Sequence, residues 1–369
     1  MTPDVIVAGG GVIGTAIAHQ LARRGARVTV LDHAAPGQAT AASAAMIAPD
    51  ADAGIGPLRE LAVESARLYP ALCAELLDRT GLDSGLRENA LLLVAWSEED
   101  ERDLRRRRHR LEQAGVASAW LDPGRLRDVE PALAAGLQGG LHLQGQRQVD
   151  APALLHALSR AAADLGVSFR SEEAHRLVIE GDRVTGVQAG ANKLSAGEIV
   201  IAAGAWSGSL AADLRQPMPV RPIRGQMVGL SPPTSLLRTM CFSSHVYLLR
   251  KAAGWIYVGA TEEDVGFDSS PTAAGVRDLL SGAVALAPAL EQAKLSHVAA
   301  GLRPATPDGM PVIGRMPGWS GITIATGHFR DGVLLAPITA ELVGDLVEHR
   351  RPRLPVDAFD PARFLLRAA

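Results

Sequence analysis

The sequence is poor in several features, and each shortage excludes a class of protein. Only two cysteines, Cys73 and Cys241, occur in 369 residues, and neither belongs to a Cys-x-x-Cys or Cys/His cluster. This pattern predicts a reducing compartment and no metal site. The formal net charge is −3, so the balance of charges gives no reason to expect a nucleic acid or a membrane surface as partner.

Long hydrophobic runs are also missing. The charge-free stretch over residues 199–212 is too short and too interrupted by glycine to span a bilayer. The first strand pattern begins at residue 5, which leaves no space for a signal peptide. We therefore expect a cytoplasmic protein, and the length predicts two or three domains.

The most informative stretch is the first 32 residues. An apolar run at 5–8 predicts a buried parallel strand, and Gly9-x-Gly11-x-x-Gly14 leads from it into an amphipathic helix. In this motif Gly9 makes the tight turn, Gly11 lets a pyrophosphate approach the backbone, and Gly14 lets helix and strand pack closely. The helix N-terminus, with Val12 and Ile13, offers N–H groups to the phosphates.

A second apolar strand over residues 28–31 ends in Asp32, about 20 residues after the glycines. An acid at this position accepts hydrogen bonds from ribose hydroxyls and disfavours the 2′-phosphate of NADP. A glycine-rich turn alone is weak evidence. Here strand, glycines, helix, strand and acid all occur in register, and the pattern predicts dinucleotide binding.

Beyond Asp32 the regular alternation of strand and helix stops. Residues 33–50 are small and fit either close contact with a flat ligand or a linker with a short helix. Leucines at helical spacing predict a helix over 57–80. The arginine-rich run at 105–110 belongs to a helix over 97–115, and acids four residues earlier favour a solvated face over a nucleic-acid site.

The fold class is therefore α/β, with a Rossmann-like dinucleotide-binding domain interleaved with an α+β domain built on a mostly antiparallel sheet. We assign residues 1–50, 145–215 and 298–369 to the first domain, and 51–144 and 216–297 to the second. An apolar helix over 332–347 contains Pro337, which either kinks the helix or marks its first turn.

Three later motifs carry a family resemblance: Ser244-His245-Val246-Tyr247, Gly301-Leu302-Arg303-Pro304 and Gly327-His328-Phe329-Arg330-Asp331-Gly332. With the N-terminal glycines and Ala203-Gly204-Ala205-Trp206, they resemble the FAD-dependent amine oxidase family of D-amino acid oxidase and sarcosine oxidase, and most of all its glycine oxidases of the thiamine-biosynthesis type. The resemblance covers nearly the full length in the right order.

The resemblance implies a noncovalent FAD, because no cysteine follows Cys241. It implies that Arg303, Tyr247, Arg330 and Met46 contact the substrate, and that no side chain acts as a catalytic acid or base. The expected FAD-binding residues are Gly9, Gly11, Val12, Ile13, Gly14, Asp32, His33, Thr40, Ala41, Ala44, Ala45, Met46, His175, Gly204, Trp206, His328, Arg330, Asp331, Gly332, Val333 and Leu334.

The implied reaction is oxidation of glycine or another small amine or D-amino acid to the imine. A hydride passes to flavin N5, and oxygen then accepts the electrons to give hydrogen peroxide. Arg303 suits the carboxylate because its planar guanidinium binds in a bidentate manner. The expected partners are the small amino-acid substrate and oxygen, and the resemblance favours a homo-oligomer.

Other interpretations stay open. The position of Arg303 at a strand end also fits a surface or ion-pair residue, and Tyr247 also fits a core tyrosine with a satisfied hydroxyl. A flavin dehydrogenase that reduces a quinone, an NAD-dependent dehydrogenase and a noncatalytic nucleotide-binding protein all fit the N-terminal motif. The chain also departs from the family twice: Ala45 replaces a glycine beside the flavin, and Asp331 replaces an asparagine. Both affect flavin geometry or redox poise more than flavin binding.

Overall fold

The structure, a computed structural model, describes residues 2–51 and 56–365. Within these ranges the helices predicted over 57–80, 97–115 and 332–347 begin and end close to the predicted positions, among seven longer helices. The seven are Val12–Arg23, Pro57–Thr80, Glu98–Gln113, Pro123–Val129, Ala151–Asp164, Ala273–Leu286 and Gly332–Val347. Short helical turns follow at Gly204–Trp206, Ser207–Leu210, Ala211–Leu214, Pro288–Gln292, Asp357–Phe359 and Pro361–Phe364.

The N-terminal strand is central to the first sheet, which has six strands among the described residues. In spatial order they are Val312–Arg315, Ile322–Thr326, Glu198–Ile201, Val5–Ala8, Val28–Leu31 and Ser168–Arg170. All neighbours are parallel except the first pair. Helices Val12–Arg23, Ala151–Asp164 and Gly332–Val347 pack together beside this sheet. This is the predicted Rossmann-like arrangement.

The second sheet is large and mostly antiparallel, as predicted, with nine strands in the described ranges. Their order is Lys294–Ala305, Arg221–Ser231, Ile256–Gly259, Tyr247–Arg250, Met240–Phe242, Arg87–Ala95, Gly139–Gln148 and Met46–Ile47, and Ala119–Leu121 also pairs with Gly139–Gln148. One pair, Met240–Phe242 with Arg87–Ala95, is parallel. A separate antiparallel sheet contains Ala174–Glu180, Arg183–Ala189 and Asn192–Ser195.

One strand differs from the predicted domain division. Residues 298–303 were grouped with the dinucleotide-binding segments, but strand Lys294–Ala305 pairs along its length with Arg221–Ser231 in the second sheet. Strand Gly139–Gln148 was not predicted, because its glycines and glutamines obscure the alternation that marks a strand. The domain boundaries themselves stay a prediction.

Helix Gly332–Val347 contains Pro337 in its interior, so Pro337 does not mark the first turn. Proline has no N–H, which leaves the carbonyl of Val333, four residues earlier, without its helical donor. The hydroxyl of Tyr69, from helix Pro57–Thr80, donates to that carbonyl. The next N–H, of Ile338, donates to Ser65 Oγ at 3.3 Å. The second helix therefore satisfies the groups that the proline disturbs.

Candidate active site

A single cavity of about 520 Å³ runs from the carboxyl ends of the first sheet to the second sheet. Its walls include the glycine turn after Val5–Ala8, the start of helix Gly332–Val347 and strand residues of the second sheet. Its volume lies within the range typical of small-molecule and cofactor sites. The two sheets thus meet at the position where an α/β sheet usually binds its ligand.

The glycine turn has the tight packing that the motif predicts. Gly9 has a φ of +112°, and a Cβ atom on it would lie 2.3 Å from the carbonyl oxygen of Ala202. A Cβ atom on Gly14 would lie 1.9 Å from the carbonyl oxygen of Gly9. The N–H of Val12, in the first helical turn, donates to Thr40 Oγ1 at 3.1 Å. The turn can therefore pack this closely only with glycine at these two positions. The Val12 N–H, expected to face the phosphates, is paired with Thr40 in this structure.

Asp32 lies at the end of its strand, facing this turn. One carboxylate oxygen accepts from the N–H of Gly10 at 2.5 Å. The other accepts from the N–H of Ala34 at 2.6 Å and from Gln38 Nε2 at 2.7 Å. These three donors fix the carboxylate on the cavity wall, where its remaining acceptor capacity faces the site for a ribose.

The small-residue loop bends sharply at Ala45. Its φ of +56° is a left-handed conformation that favours glycine, the residue that the family resemblance leads us to expect at this position. The buried Lys251 fixes this bend, since its Nζ donates to the carbonyls of Ala44 at 2.5 Å and Val149 at 3.3 Å. Burial lowers the pKa of Lys251 to about 8, with Asp150 opposing the shift.

The turn before the last helix brings backbone N–H groups to the cavity. Residues from His328 to Leu334 line it, and the helix begins at Gly332. The His328 ring is buried, with Nε2 3.1 Å from Thr339 Oγ1. Burial lowers the pKa of His328 to about 3. The imidazole is therefore neutral at pH 7, and the helix N-terminus supplies the positive potential here.

Arg303 lies on strand Lys294–Ala305, opposite Ile223 of the neighbouring strand. Its Nη1 donates to the carbonyl of Thr261 at 3.0 Å. A Cβ atom on Gly225 would lie 2.3 Å from the Arg303 guanidinium carbon. The absence of a side chain at Gly225 therefore gives the guanidinium its place in the cavity wall.

Tyr247 is the middle ring of an aromatic stack. Its ring lies 4.7 Å from that of Phe242 and 5.8 Å from that of Tyr257, with nearly parallel planes. The Tyr257 hydroxyl donates to the carbonyl of Ala42 at 2.7 Å, and burial raises the pKa of Tyr257. A Cβ atom on Gly259 would lie 2.7 Å from the Tyr247 hydroxyl. The stack and this glycine fix the Tyr247 hydroxyl on the cavity wall.

The structure gathers nearly all the predicted site residues around this one cavity. The lining includes Gly9, Gly11, Val12, Ile13, Asp32, His33, Thr40, Ala44, Ala45, Met46, His175, Gly204, Trp206, Tyr247, Arg303, His328, Arg330, Asp331, Gly332, Val333 and Leu334. Gly14 and Ala41 are not among the lining residues. Gly14 packs against the strand instead, and Ala41 is exposed.

Other lining residues were not predicted. Tyr257 and Glu262 belong to segments whose pattern indicates only strands and a loop, and Gly225 and Gly259 act through the absence of a side chain. Arg107 is a correction: its helix was expected to be a solvated face, but Arg107 is half-buried and lines the cavity. The sequence pattern alone predicts an exposed Arg107, because the packing of its helix on the sheet depends on residues distant in the chain.

The comparison with known families decides the identity of this fold. The family model named DAO, an FAD-dependent oxidoreductase, matches residues 4–346. The chain belongs to the DAO family of FAD-dependent oxidoreductases. The family predicted from the sequence motifs is therefore confirmed, as are the enzyme class and the cofactor, FAD.

Three relatives show how close this DAO-family member is to proteins already described. A glycine oxidase from Geobacillus kaustophilus is 38% identical over 98% of this chain and 96% of its own. Its crystal structure has a TM-score of 0.94, covering 98% and 99% of the two chains. The bifunctional protein ThiO/ThiG from Trichormus variabilis is 35% identical, and this chain spans 56% of it. An iminodiacetate oxidase from Chelativorans sp. BNC1 has a TM-score of 0.90 at 29% identity over 97% and 98% of the two chains.

The observed cavity fits FAD. The glycine turn and the helix N-terminus, which line the cavity, suit the pyrophosphate, and the fixed carboxylate of Asp32 suits the ribose. The start of Gly332–Val347 suits the electron-rich edge of the flavin ring. Within residues 2–51 and 56–365, no helix is long and apolar enough to cross a membrane. The same residues contain no cluster of His, Cys, Asp and Glu arranged to hold a metal ion.

Proposed function

We propose that this enzyme oxidises glycine, or an amine of similar size, to the imine, with oxygen as the final electron acceptor and hydrogen peroxide as the second product. Bound FAD supplies the hydride acceptor for this reaction. The observation that carries the proposal is that Arg303 and Tyr247 line the same cavity as the start of helix Gly332–Val347. The anion-binding groups and the flavin-binding groups thus share one small space.

The protein's own residues orient the substrate. Arg303 holds the carboxylate through its guanidinium, and the Tyr247 hydroxyl donates to the same carboxylate. Two fixed contacts on one end of a small amino acid limit the directions in which its Cα–H bond points. Because binding has already fixed this orientation, the entropic cost of reaching the transition state is lower.

No side-chain base takes part in this proposal. The amine binds in its neutral form. The His328 ring stays neutral at pH 7, because burial lowers its pKa to about 3, so it takes no proton from the substrate. The N–H groups at the start of Gly332–Val347 would supply positive potential to the bound FAD. Met46 and Arg330, on the same lining, complete the substrate side of the cavity.

The similarity to a glycine oxidase from Geobacillus kaustophilus supports the choice of substrate, and the match to ThiO/ThiG supports a role in supplying an imine for thiamine synthesis. Two buried free thiols, Cys73 and Cys241, favour a reducing compartment such as the cytoplasm. A homo-oligomer stays a prediction.

An amino-acid panel with peroxide detection tests the proposal. The purified yellow protein is mixed with glycine, sarcosine, D-alanine or D-proline in air, and peroxide and oxygen are measured together. We expect peroxide in a one-to-one ratio with oxygen consumed, and the largest kcat/KM for one of the smallest amines. Dye reduction under argon without peroxide in air contradicts the oxidase and supports the quinone-linked dehydrogenase.

A further inference from the structure

Two guanidinium groups face the cavity, and consecutive residues of one segment contact them. Arg303 Nη1 donates to the backbone carbonyl of Thr261 at 3.0 Å. Arg330 donates to the side-chain carboxylate of the next residue, Glu262. Because consecutive Cα atoms are about 3.8 Å apart, this arrangement places both arginines beside the same short stretch of backbone. All four residues line the cavity.

The backbone that carries Glu262 is held in place by other residues. Glu263 exchanges two backbone hydrogen bonds with Arg224, at 2.8 and 2.9 Å. The buried Arg224 guanidinium also contacts the Glu263 carboxylate, and it donates to Asp268 at 2.8 Å. Gln226 Nε2 adds a bond to Glu263 at 2.7 Å. This network anchors the segment without any help from the side chain of Glu262.

The ion pair of Glu262 with Arg330 contributes little to the fold. The two side chains are 45% and 55% exposed, and ion pairs with this exposure add little to stability. The pair instead controls the charge on the cavity wall. Glu262 places a carboxylate on Arg330. The residue before it, Thr261, contacts Arg303, the arginine proposed to hold the substrate carboxylate.

We propose that Glu262 is a specificity-determining residue: it occupies Arg330 with a protein carboxylate and so selects amines that carry one carboxylate over amines that carry two. The inference rests on the proposed function, in which Arg303 holds the first carboxylate. A second carboxylate on the substrate meets an arginine already paired, and it meets the negative charge of Glu262. Selection by such a repulsive element is a common source of specificity.

The expected size of the effect follows from Coulomb's law. Two like charges about 4 Å apart in a partly exposed site repel with an energy between the values for water and for a protein surface. Such a repulsion changes binding by roughly tenfold or more. Iminodiacetate is the appropriate probe, because it is glycine with a second carboxymethyl group on nitrogen. Sarcosine is its matched partner, because its N-methyl group carries no charge.

The test compares Glu262→Gln with the unmodified enzyme, using iminodiacetate, sarcosine and glycine. Glutamine keeps the size of the side chain and removes its charge. We expect Glu262→Gln to raise kcat/KM for iminodiacetate about tenfold, through KM, and to change kcat/KM for sarcosine and glycine by less than about threefold. An unchanged ratio of iminodiacetate to sarcosine overturns the inference.

Asp264→Asn is the matched control, because it removes one negative charge from the same segment. Asp264 pairs with the exposed Arg221 and is not among the residues that line the cavity. We expect this variant to keep the ratio of the unmodified enzyme. An equal rise in Asp264→Asn assigns the effect to general charge and contradicts a specific role for Glu262.

A binding measurement separates this inference from the proposed function. The dissociation constants of iminodiacetate and sarcosine are read from their perturbation of the flavin absorbance under argon, without turnover. If no amine in the panel is oxidised, the proposed function fails. The ratio of the two dissociation constants in Glu262→Gln still supports or overturns the role of Glu262.

Discussion

The guanidinium of Arg303 lies against the backbone of Gly225, in the space that a side chain at that position would fill. A Cβ atom there would lie 2.3 Å from Cζ, Nη1 and Nη2 of Arg303 alike. Real Cβ atoms do not approach other atoms so closely, so any other residue at 225 displaces the arginine. A residue with no side chain thus determines where a positive charge faces the cavity.

The substitution Gly225→Ala therefore disables substrate binding without touching the dinucleotide site. We predict a fall in kcat/KM for glycine of at least about a hundredfold, because a shift of about 1 Å in a positioning group has effects of that order. FAD content, read from the visible absorbance of the purified protein, stays at the level of the unmodified enzyme.

Gly229→Ala provides the control on the same strand. A Cβ atom there would meet the ring of the exposed His297, which lies outside the cavity lining. A similar loss of activity in both variants means that the strand itself is disturbed, and the role of Gly225 in placing Arg303 is then wrong.

Tyr69 repairs the hydrogen bonding that Pro337 interrupts, so its hydroxyl is predicted to stabilise the fold. Tyr69→Phe leaves the buried carbonyl of Val333 without a donor, which costs about 1–3 kcal/mol of unfolding free energy. Urea denaturation of the FAD-free protein measures this loss.

A double-mutant cycle with Pro337→Ala shows whether the loss in Tyr69→Phe arises from the carbonyl that Pro337 leaves without a donor. Alanine at 337 has an N–H that reaches the carbonyl of Val333 within the helix. We expect Tyr69→Phe to cost less than half as much in the Pro337→Ala background. Additive costs of the two substitutions contradict the proposed repair.

His328 is predicted to make the protein sensitive to acid. Its pKa is about 3 when folded and near 6.5 when unfolded, so the unfolded chain binds more protons between these values. The contribution of the neutral His328 to the free energy of unfolding is therefore fully present above pH 6.5. It falls as the pH drops toward 3, by up to about 1.4 kcal/mol per pH unit.

The substitution His328→Gln removes this titration and keeps a hydrogen-bonding group beside Thr339. Between pH 6 and 4, we expect the slope of unfolding free energy against pH to decrease by the equivalent of about one bound proton, which is about 1.4 kcal/mol per pH unit. The exposed His156→Gln serves as the reference. A slope that matches the unmodified protein in both variants excludes His328 as the source.

Lys251 is predicted to hold the bend at Ala45 for the cofactor. Lys251→Met keeps the apolar stem but removes the donor to the carbonyls of Ala44 and Val149. The unsatisfied carbonyls loosen the loop, and we expect FAD to bind about tenfold more weakly in fluorescence titrations. Lys294→Met, on the exposed surface, keeps the affinity of the unmodified protein. Equal affinities in all three proteins exclude the role.

The parts of the fold that were predictable from sequence are those with strong local signals. The glycine turn and Asp32 follow from short-range geometry, and helix Pro57–Thr80 matches its predicted limits because leucine spacing and a terminal glycine specify both ends. The partner of strand Lys294–Ala305 was not predictable, since its apolar pattern does not reveal that it pairs with Arg221–Ser231.

The candidate site shows the same division. Arg303 and the residues before Gly332 belong to recognisable motifs. The contributions of Gly225 and Tyr69 depend on contacts between residues distant in the chain, 78 and 264 positions apart respectively. Glu262 carries no motif, and its contact with Arg330 depends on the long loop that Arg224 anchors.

The central claim is that Arg303 holds the substrate carboxylate within reach of the bound flavin. Its most direct test is rapid mixing of glycine with the FAD-loaded enzyme under argon, with flavin absorbance followed in the unmodified protein and in Arg303→Met. We predict that glycine bleaches the flavin of the unmodified protein, and that Arg303→Met retains FAD but is reduced at least about a thousandfold more slowly at the same glycine concentration. Equal rates of bleaching in the two proteins would contradict the account.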